Sequence, residues 1–184
     1  VVTLDCRFSY EFVGGHINGA QNLLTRQQLQ SIYSLNLTLQ ERKNFPRKAA
    51  SDEGVTATNI SPKKSICFVF HCEFSSSRGP AWALLFRSID RDKNHPRYPE
   101  LDFENVFILE GGYHKFYEEY PDFTTRGYQK MEGHPSYKKC QRQYDIEIGK
   151  FDRYSRTPHV SHNAQLDIPV RELSQLNFCS QPLH

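Results

Sequence analysis

The sequence predicts an α/β fold with a doubly wound, mostly parallel sheet flanked by helices. Two observations lead to this prediction. Short apolar runs of four or five residues, rich in β-branched and aromatic side chains, are typical of buried parallel strands. These runs are separated by segments with apolar residues at helical spacing, and the order strand, helix, strand, glycine turn, helix is the one that a doubly wound sheet requires.

The first elements occupy the N-terminal third of the chain. Residues 1–4 form the first strand, and residues 14–23, rich in Gly and Asn, form a tight turn into a short second strand. Residues 24–39 carry enough Leu and Ile for a short helix with a frayed end. The polar stretch Gln40–Lys64 keeps neither a period of two nor one of 3.6, so we expect a long surface loop there.

The third strand, Ile66–Phe70, is apolar throughout and is therefore expected to be buried on both faces. A helix follows from Pro80, since proline is well placed in the first turn of a helix. Its core side is expected to hold Trp82, Leu85, Phe86 and Ile89. Its polar side is expected to hold Arg87, Asp90 and Arg91.

The last elements include the strand Asn105–Leu109, a glycine turn at residues 110–113 and a helix over residues 114–120. One further amphipathic helix is predicted by the stripe Tyr137, Cys140, Tyr144, Ile148 and Phe151. We expect one domain over residues 1–156 and an irregular tail over residues 157–184. The start at Val1, inside an apolar run and without Met, indicates a fragment.

Composition narrows the class of protein. A formal net charge of +2 gives no electrostatic reason to expect nucleic acid as a partner, and no apolar run is long enough for a membrane span. The five cysteines are scattered and lack zinc spacings, which indicates reduced thiols, one of them doing chemistry. We expect no metal, although His159 and His162 lie close together, and we expect no other cofactor.

The strongest functional signal is the run His71-Cys72-Glu73-Phe74-Ser75-Ser76-Ser77-Arg78 between the third strand and its helix. The five residues between Cys72 and Arg78 can curl so that successive backbone N–H groups point inward and form a cradle of phosphate size. These groups favour the thiolate of Cys72 beneath a bound phosphate. The planar guanidinium of Arg78 can grip two phosphate oxygens. This is the equipment for covalent phosphoryl transfer.

This loop, with its Gly79-Pro80, resembles the active-site loop of the M-phase inducer phosphatases, dual-specificity enzymes that activate cyclin-dependent kinases. Further matching blocks extend the resemblance to about Met131: residues 5–12, 14–17, 98–101 and 108–113. The first two blocks are shared with rhodaneses. The resemblance implies a rhodanese-like fold with a five-stranded sheet, in which Asp5, Glu11 and His16 are structural hydrogen-bonding groups.

The resemblance also assigns roles. Cys72 would attack the phosphorus of phosphotyrosine or phosphothreonine, while the backbone N–H groups of residues 73–78 and the Arg78 side chain hold the phosphoryl oxygens. Cys6 matches a back-door cysteine that forms a disulfide with the oxidised nucleophile. The implied partner is a phosphorylated cyclin-dependent kinase–cyclin complex, whose dephosphorylation promotes mitotic entry. The enzyme itself is expected to be a monomer and to act in the nucleus and cytoplasm. Docking to it would use Arg87, Arg91 and Tyr98.

The chain departs from this pattern in one important place. Animal members of the family carry a second loop glutamate, a candidate proton donor, where this chain has Ser77. Glu73 stays a candidate general acid, and a proton from the phosphate monoanion or from a group on the protein substrate is the alternative. Two other functions stay open: a rhodanese-type sulfurtransferase or arsenate reductase on the same fold, and a non-catalytic module that captures phosphoproteins.

Overall fold

The computed structural model describes residues 1–44, 65–125 and 127–154. The described strands are β1 Val2–Asp5, β2 Gln21–Asn22, β3 Cys67–His71 and β4 Asn105–Ile108. The described helices are α1 Ser9–Val13, α2 Arg26–Asn44, α3 Arg78–Asn94, α4 Gly112–Glu119 and α5 Tyr137–Tyr154, with short 3-10 turns at His95–Arg97 and Pro121–Phe123. None of the helices within these ranges is long and apolar enough to cross a membrane.

The sheet is parallel, as predicted, with strand order β2-β1-β3-β4. β3 lies in the centre: Phe70 pairs with Leu4 of β1 and with Ile108 of β4. The expected number of five strands is wrong for the described ranges, in which the sheet has four strands. The chain beyond α4 adds no strand there, because it meets the sheet region only through an isolated antiparallel bridge between Ile17 and Thr124.

An aromatic core fills one face of the sheet. The rings of Phe68 and Phe86 lie 4.6 Å apart, and Phe103 packs edge-on against both Phe68 and Tyr33 at 5.0 Å. Phe68 is fully buried, whereas its strand neighbour Val69 is only partly buried. Because successive strand residues point to opposite faces, burial of β3 on both faces is incomplete, contrary to the sequence-based expectation.

The helix boundaries differ from the predicted ones in an instructive way. α2 continues to Asn44, five residues into the predicted loop, since Gln, Glu, Arg and Lys are good helix formers. Its Gln40 side chain also donates to the carbonyl of Asp102 at 2.7 Å. α3 begins at Arg78 instead of Pro80, and proline is tolerated there because the first-turn N–H groups have no helical acceptor.

The predicted C-terminal helix is confirmed as α5, and Tyr144 and Ile148 pack against the core. α4 begins at Gly112, two residues before the predicted start. The rest of the predicted loop, residues 45–64, and the predicted tail, residues 157–184, lie outside the described residues.

Candidate active site

The predicted loop lies where the central strand meets α3. Cys72 follows the last residue of β3 and is only 3% exposed. The chain then turns sharply: Ser75 has a left-handed φ of 55°, and Ser77 has φ −139° and ψ −67° before α3 begins at Arg78. Two changes of backbone direction within three residues bend the segment into a cradle over Cys72.

The backbone N–H groups of residues 73–78 are available to a ligand. None of them donates to any other group in the part of the chain that the structure describes. The carbonyls of the loop are used instead: Tyr113 donates its N–H to Cys72 and His114 donates to Glu73, both at 2.9 Å. A run of backbone donors without protein acceptors, next to carbonyls that are already hydrogen-bonded, is the arrangement that an oxyanion site requires.

Arg78 is held in place by a buried carboxylate. Its Nη1 donates to Oε2 of Glu11 at 2.5 Å and its Nη2 donates to Oε1 at 3.1 Å. The Arg78 guanidinium also lies 4.6 Å from the centre of the Phe8 ring. Burial works against the charge of Arg78, but the hydrogen bonds and charge of Glu11 outweigh it and raise the Arg78 pKa. End-on pairing through both Nη atoms leaves the Nε edge of the fork for an oxyanion.

Two glycines let helices approach the loop closely. Gly112 has φ +63°, and a Cβ there would lie 2.5 Å from the carbonyl oxygen of Glu73 and 2.6 Å from that of Cys72. A Cβ on Gly79 would lie 3.1 Å from the carbonyl carbon of His71. The start of α4 and the start of α3 therefore both lie directly against the backbone that carries the candidate nucleophile, Cys72.

The structure shows which groups hold the carboxylate of Glu73, the predicted candidate for the general acid. Its carboxylate is nearly buried and accepts a hydrogen bond from the Tyr128 hydroxyl at 2.6 Å and one from the backbone N–H of Met131 at 3.3 Å. Tyr10 donates to the carbonyl of Met131 at 2.5 Å. Glu73 therefore fastens the loop to the segment after α4, and the general-acid assignment finds no support in this geometry.

A buried ionic cluster lies beneath Cys72. Asp5, at the end of β1, accepts hydrogen bonds from the Arg7 Nε and Nη2 at 2.7–3.1 Å, and Arg7 stacks 3.8 Å from the centre of the Tyr113 ring. Although burial opposes its charge, His71 and Arg7 hold the pKa of Asp5 below its ordinary value. Burial lowers the pKa of His71, whose Nε2 lies 3.8 Å from Asp5 Oδ2. The prediction that Asp5 is a structural acceptor is confirmed.

Cys6 lies in the same buried layer. Its N–H donates to the carbonyl of His71 at 2.7 Å and its thiol to the carbonyl of Leu4 at 3.7 Å. Burial raises the pKa of this thiol well above its ordinary value, and the neighbouring Cys72 adds to the effect. The Cys6 thiol therefore stays protonated at neutral pH, and it lies close enough to Cys72 for a thiolate there to disfavour its ionisation.

The structure separates the three predicted docking residues. Tyr98 is 86% exposed and Arg91 is exposed. Arg87 is mostly buried instead, and its Nη1 donates to Asp90 at 3.1 Å and to the carbonyl of Phe103 at 2.6 Å. The expectation that Arg87 and Asp90 lie on the solvent side of α3 is wrong, because their charges satisfy each other and nearby backbone groups.

Sequence reasoning missed the specific roles of three residues around the loop. Glu11 is the partner of Arg78 and Tyr128 is the partner of Glu73. Tyr144 of α5 has its pKa raised to about 12 by burial and by the nearby thiol groups of Cys6 and Cys72. A helical stripe reveals that Tyr144 faces the core, but only the folded chain shows that α5 packs behind the candidate nucleophile.

Comparisons with known proteins show which proteins the chain is similar to. The chain is 33% identical over 141 residues to the M-phase inducer phosphatase of Drosophila melanogaster, covering 77% of this chain and 27% of the relative. It is 34% identical over 152 residues to M-phase inducer phosphatase 3 of Homo sapiens, covering 80% and 28%. A solved yeast protein tyrosine phosphatase of the rhodanese family is 22% identical, with a TM-score of 0.46, covering 70% of this chain and 76% of that one.

The two M-phase inducer phosphatases are much longer than the chain, which spans about a quarter of their length. The chain also matches a family model. The model of the rhodanese-like domain matches residues 1–119, which include β1 to β4, the Cys72 loop and the helix that supports it. The chain therefore belongs to the rhodanese-like domain family.

Proposed function

We propose that the chain is a cysteine-dependent protein phosphatase of dual specificity, which removes inhibitory phosphates from the phosphotyrosine and phosphothreonine of a cyclin-dependent kinase. One observation carries the proposal: Cys72 precedes six residues, 73–78, whose backbone N–H groups have no acceptor among the described residues, and the last of them, Arg78, is fixed by Glu11. Five residues between Cys72 and Arg78 suit a tetrahedral oxyanion better than the single sulfur that a sulfurtransferase carries.

The residues define each step. The Cys72 sulfur attacks phosphorus, a sulfur–phosphorus bond forms, and the bond from phosphorus to the substrate oxygen breaks. Charge that develops on the three equatorial oxygens is stabilised by the loop N–H groups and by the free edge of Arg78. Water then attacks the phosphocysteine, inorganic phosphate leaves, and the thiolate of Cys72 is restored.

In the proposed reaction, the departing oxygen takes its proton from a group other than Glu73, the carboxylate of the loop. Glu73 is bound to Tyr128 and Met131, and Ser77 stands where related enzymes carry an acid. The substrate monoanion, whose second phosphate pKa is about 6, can deliver its own proton, as can an acidic group of the protein substrate. Only the second source, an acidic group of the protein substrate, would favour a specific protein partner over small phosphoesters.

The names of the relatives support the proposed partner. Several carry the name M-phase inducer phosphatase, which supports a role in mitotic entry and a kinase–cyclin complex as substrate. Such an enzyme would act as a monomer in nucleus and cytoplasm. Exposed Arg91 and Tyr98 at the far end of α3 offer a cation and an aromatic ring for docking, away from the loop.

The proposal is tested by the turnover of p-nitrophenyl phosphate. Wild type is expected to release p-nitrophenol, Cys72→Ser to release none above background, and Cys140→Ser, which changes a half-exposed thiol on α5, to match wild type. Sulfur transfer from thiosulfate to cyanide tests the sulfurtransferase, and reduction of arsenate tests the reductase. Wild type that binds a phosphopeptide without hydrolysing it would indicate a capture module and would refute the proposal.

Cys6 adds a protective reaction to the proposal. Peroxide converts the Cys72 thiolate to a sulfenic acid, and the Cys6 sulfur then attacks that sulfur, so that water leaves and a disulfide forms. The placement of Cys6 beside Cys72 and beneath the same backbone supports this role. The disulfide would block further oxidation of Cys72 until a dithiol reduces it.

A further inference from the structure

A run of three serines occupies the bend of the candidate phosphate loop. Ser75, Ser76 and Ser77 follow one another directly before the start of α3. None of their three hydroxyl groups forms a hydrogen bond with any other residue in the part of the chain that the structure describes. Ser76 and Ser77 are exposed, so water can hydrogen-bond to their hydroxyls, but Ser75 is in a different position.

The hydroxyl of Ser75 is hidden from solvent. Its Oγ is buried and has neither a hydrogen-bond donor nor an acceptor among the described residues. Because a buried polar atom gives up its hydrogen bonds to water, leaving it without a partner destabilises the fold. Such atoms are rare in native proteins, and each of them needs a physical explanation.

The backbone of Ser75 is also strained. Its φ is 55°, and among the described residues it is the only one other than glycine with a positive φ. Glycine adopts this left-handed conformation without a steric penalty, whereas the Cβ of serine crowds the following carbonyl oxygen. The turn by itself therefore favours glycine at position 75, so the serine side chain needs a reason other than the shape of the turn.

The loop around Ser75 offers hydrogen-bond donors but few acceptors. The backbone N–H groups of residues 73–78 have no acceptor among the described residues. The carbonyls of Cys72 and Glu73, in contrast, already accept hydrogen bonds from the first turn of α4 at 2.9 Å. The Ser75 hydroxyl makes no hydrogen bond to the Cys72 sulfur either. An oxyanion bound in the loop would supply the acceptor that this hydroxyl lacks.

We propose that the Ser75 hydroxyl donates a hydrogen bond to a phosphoryl oxygen of the substrate, which makes Ser75 a catalytic residue beside Cys72 and Arg78. The inference rests on the proposed phosphatase function and adds one side-chain donor to the backbone donors of the loop. Backbone N–H groups are fixed by the fold, but a hydroxyl rotates about its C–O bond. Ser75 can therefore follow one oxygen while phosphorus passes from the monoester to the phosphocysteine.

The test uses Ser75→Ala and Ser75→Gly, with Ser31→Ala at an exposed position of α2 as the matched control. Loss of a hydrogen bond to a charged group is expected to lower kcat/KM for p-nitrophenyl phosphate by about 10–100-fold in both Ser75 variants. The inhibition constant of tungstate, a tetrahedral oxyanion, is expected to rise by about tenfold in both. The control is expected to match wild type in both measurements.

The glycine variant separates the hydroxyl from the backbone. Ser75→Gly removes the hydroxyl and relieves the left-handed strain together, so turnover is expected to fall while Tm stays at or above the wild-type value. It also gives the measurement where Ser75→Ala fails to fold, because glycine suits the left-handed region. Wild-type turnover in Ser75→Gly, with a loss in Ser75→Ala alone, would show that position 75 only shapes the turn and would overturn the proposal.

Two further results would contradict the proposed contact. An unchanged inhibition constant for tungstate in both variants would show that the hydroxyl does not meet an oxyanion in the loop. Slower alkylation of Cys72 by iodoacetamide, with unchanged tungstate inhibition, would show that the hydroxyl stabilises the thiolate instead. Failure of the phosphatase proposal looks different, because wild type would then turn over no p-nitrophenyl phosphate, while thermal unfolding with and without tungstate would still compare oxyanion binding in wild type and the Ser75 variants.

Discussion

The pairing of Glu11 with Arg78 gives the sharpest prediction about the active site. Glu11 is fully buried and accepts from Arg78 Nη1, Arg78 Nη2 and the backbone N–H of Phe8. In Glu11→Gln the amide oxygen can replace Oε2 and keep two of these bonds, but the amide NH₂ then faces Arg78 Nη2, donor against donor. The variant also leaves the buried Arg78 charge without its counter-ion.

The magnitude follows from these losses. Removing one partner of a buried ion pair costs about 3–5 kcal/mol, and the two surviving hydrogen bonds place Glu11→Gln at the lower end of that range. A loss of about 3 kcal/mol corresponds to a fall in Tm of about 6–12 °C for a domain of this size. Misdirecting the arginine that stabilises the transition state is expected to lower kcat/KM by about 10²-fold.

The assay is p-nitrophenyl phosphate turnover together with thermal unfolding followed by circular dichroism. Glu119→Gln makes the same chemical change at an exposed position of α4 and is expected to match wild type in both measurements. A Glu11→Gln protein that keeps kcat/KM within about threefold of wild type would refute the idea that Glu11 orients Arg78. An unchanged Tm would refute the buried ion pair itself.

Three further predictions concern the groups around the loop. Gly112→Ala is expected to lower Tm and p-nitrophenyl phosphate turnover, because the added Cβ would meet the carbonyls of Cys72 and Glu73. Gly133→Ala is the control: it is also at positive φ, but no described atom lies within 4 Å of the added Cβ, so turnover is expected to stay at the wild-type level. Equal effects of the two substitutions on turnover would contradict the close approach at Gly112. Burial lowers the pKa of His71 in the folded protein, so below about pH 6.5 the unfolded chain binds a proton that the folded chain does not. The contribution of neutral His71 to the free energy of unfolding is therefore complete above that pH and decreases below it by up to about 1.4 kcal/mol per pH unit. Chemical denaturation at pH 7 and pH 5.5 should show a smaller decrease in the free energy of unfolding for His71→Gln than for wild type. After brief peroxide treatment, dithiothreitol is expected to restore wild type but not Cys6→Ser, and equal recovery would exclude the protective disulfide.

The loop could be predicted from sequence because its parts are contiguous. Cys72, Arg78 and the residues between them lie within one strand–loop–helix unit, and local rules for strands, turns and helix starts all apply to it. The parallel sheet was predictable for a similar reason, since short apolar runs and helical stripes alternate along the chain. The strand count was not, because it came from the family resemblance alone.

The roles of individual charged residues depended on distant parts of the chain. Glu11 and Arg78 are 67 residues apart, and Glu73 and Tyr128 are 55 residues apart, so no local pattern joins them. For Asp90 the prediction from sequence was wrong. Charged residues are almost never fully buried unless they are paired, so the helical pattern predicted that Asp90 lies on the polar side of α3. Its partners come from a loop and a second helix that periodicity cannot bring together.

The charge balance around Cys72 bears on how the loop would bind the phosphate dianion of the proposed substrate. Arg7 is paired with Asp5 and Arg78 is paired with Glu11, so each of these two buried cations already has its own carboxylate. The remaining positive potential comes from the uncommitted loop N–H groups and the start of α3. These dipoles are fixed by the fold and need no reorganisation when negative charge develops, so in the proposed reaction they would share the charge of the phosphoryl group with the Nε edge of Arg78, which Glu11 leaves unpaired.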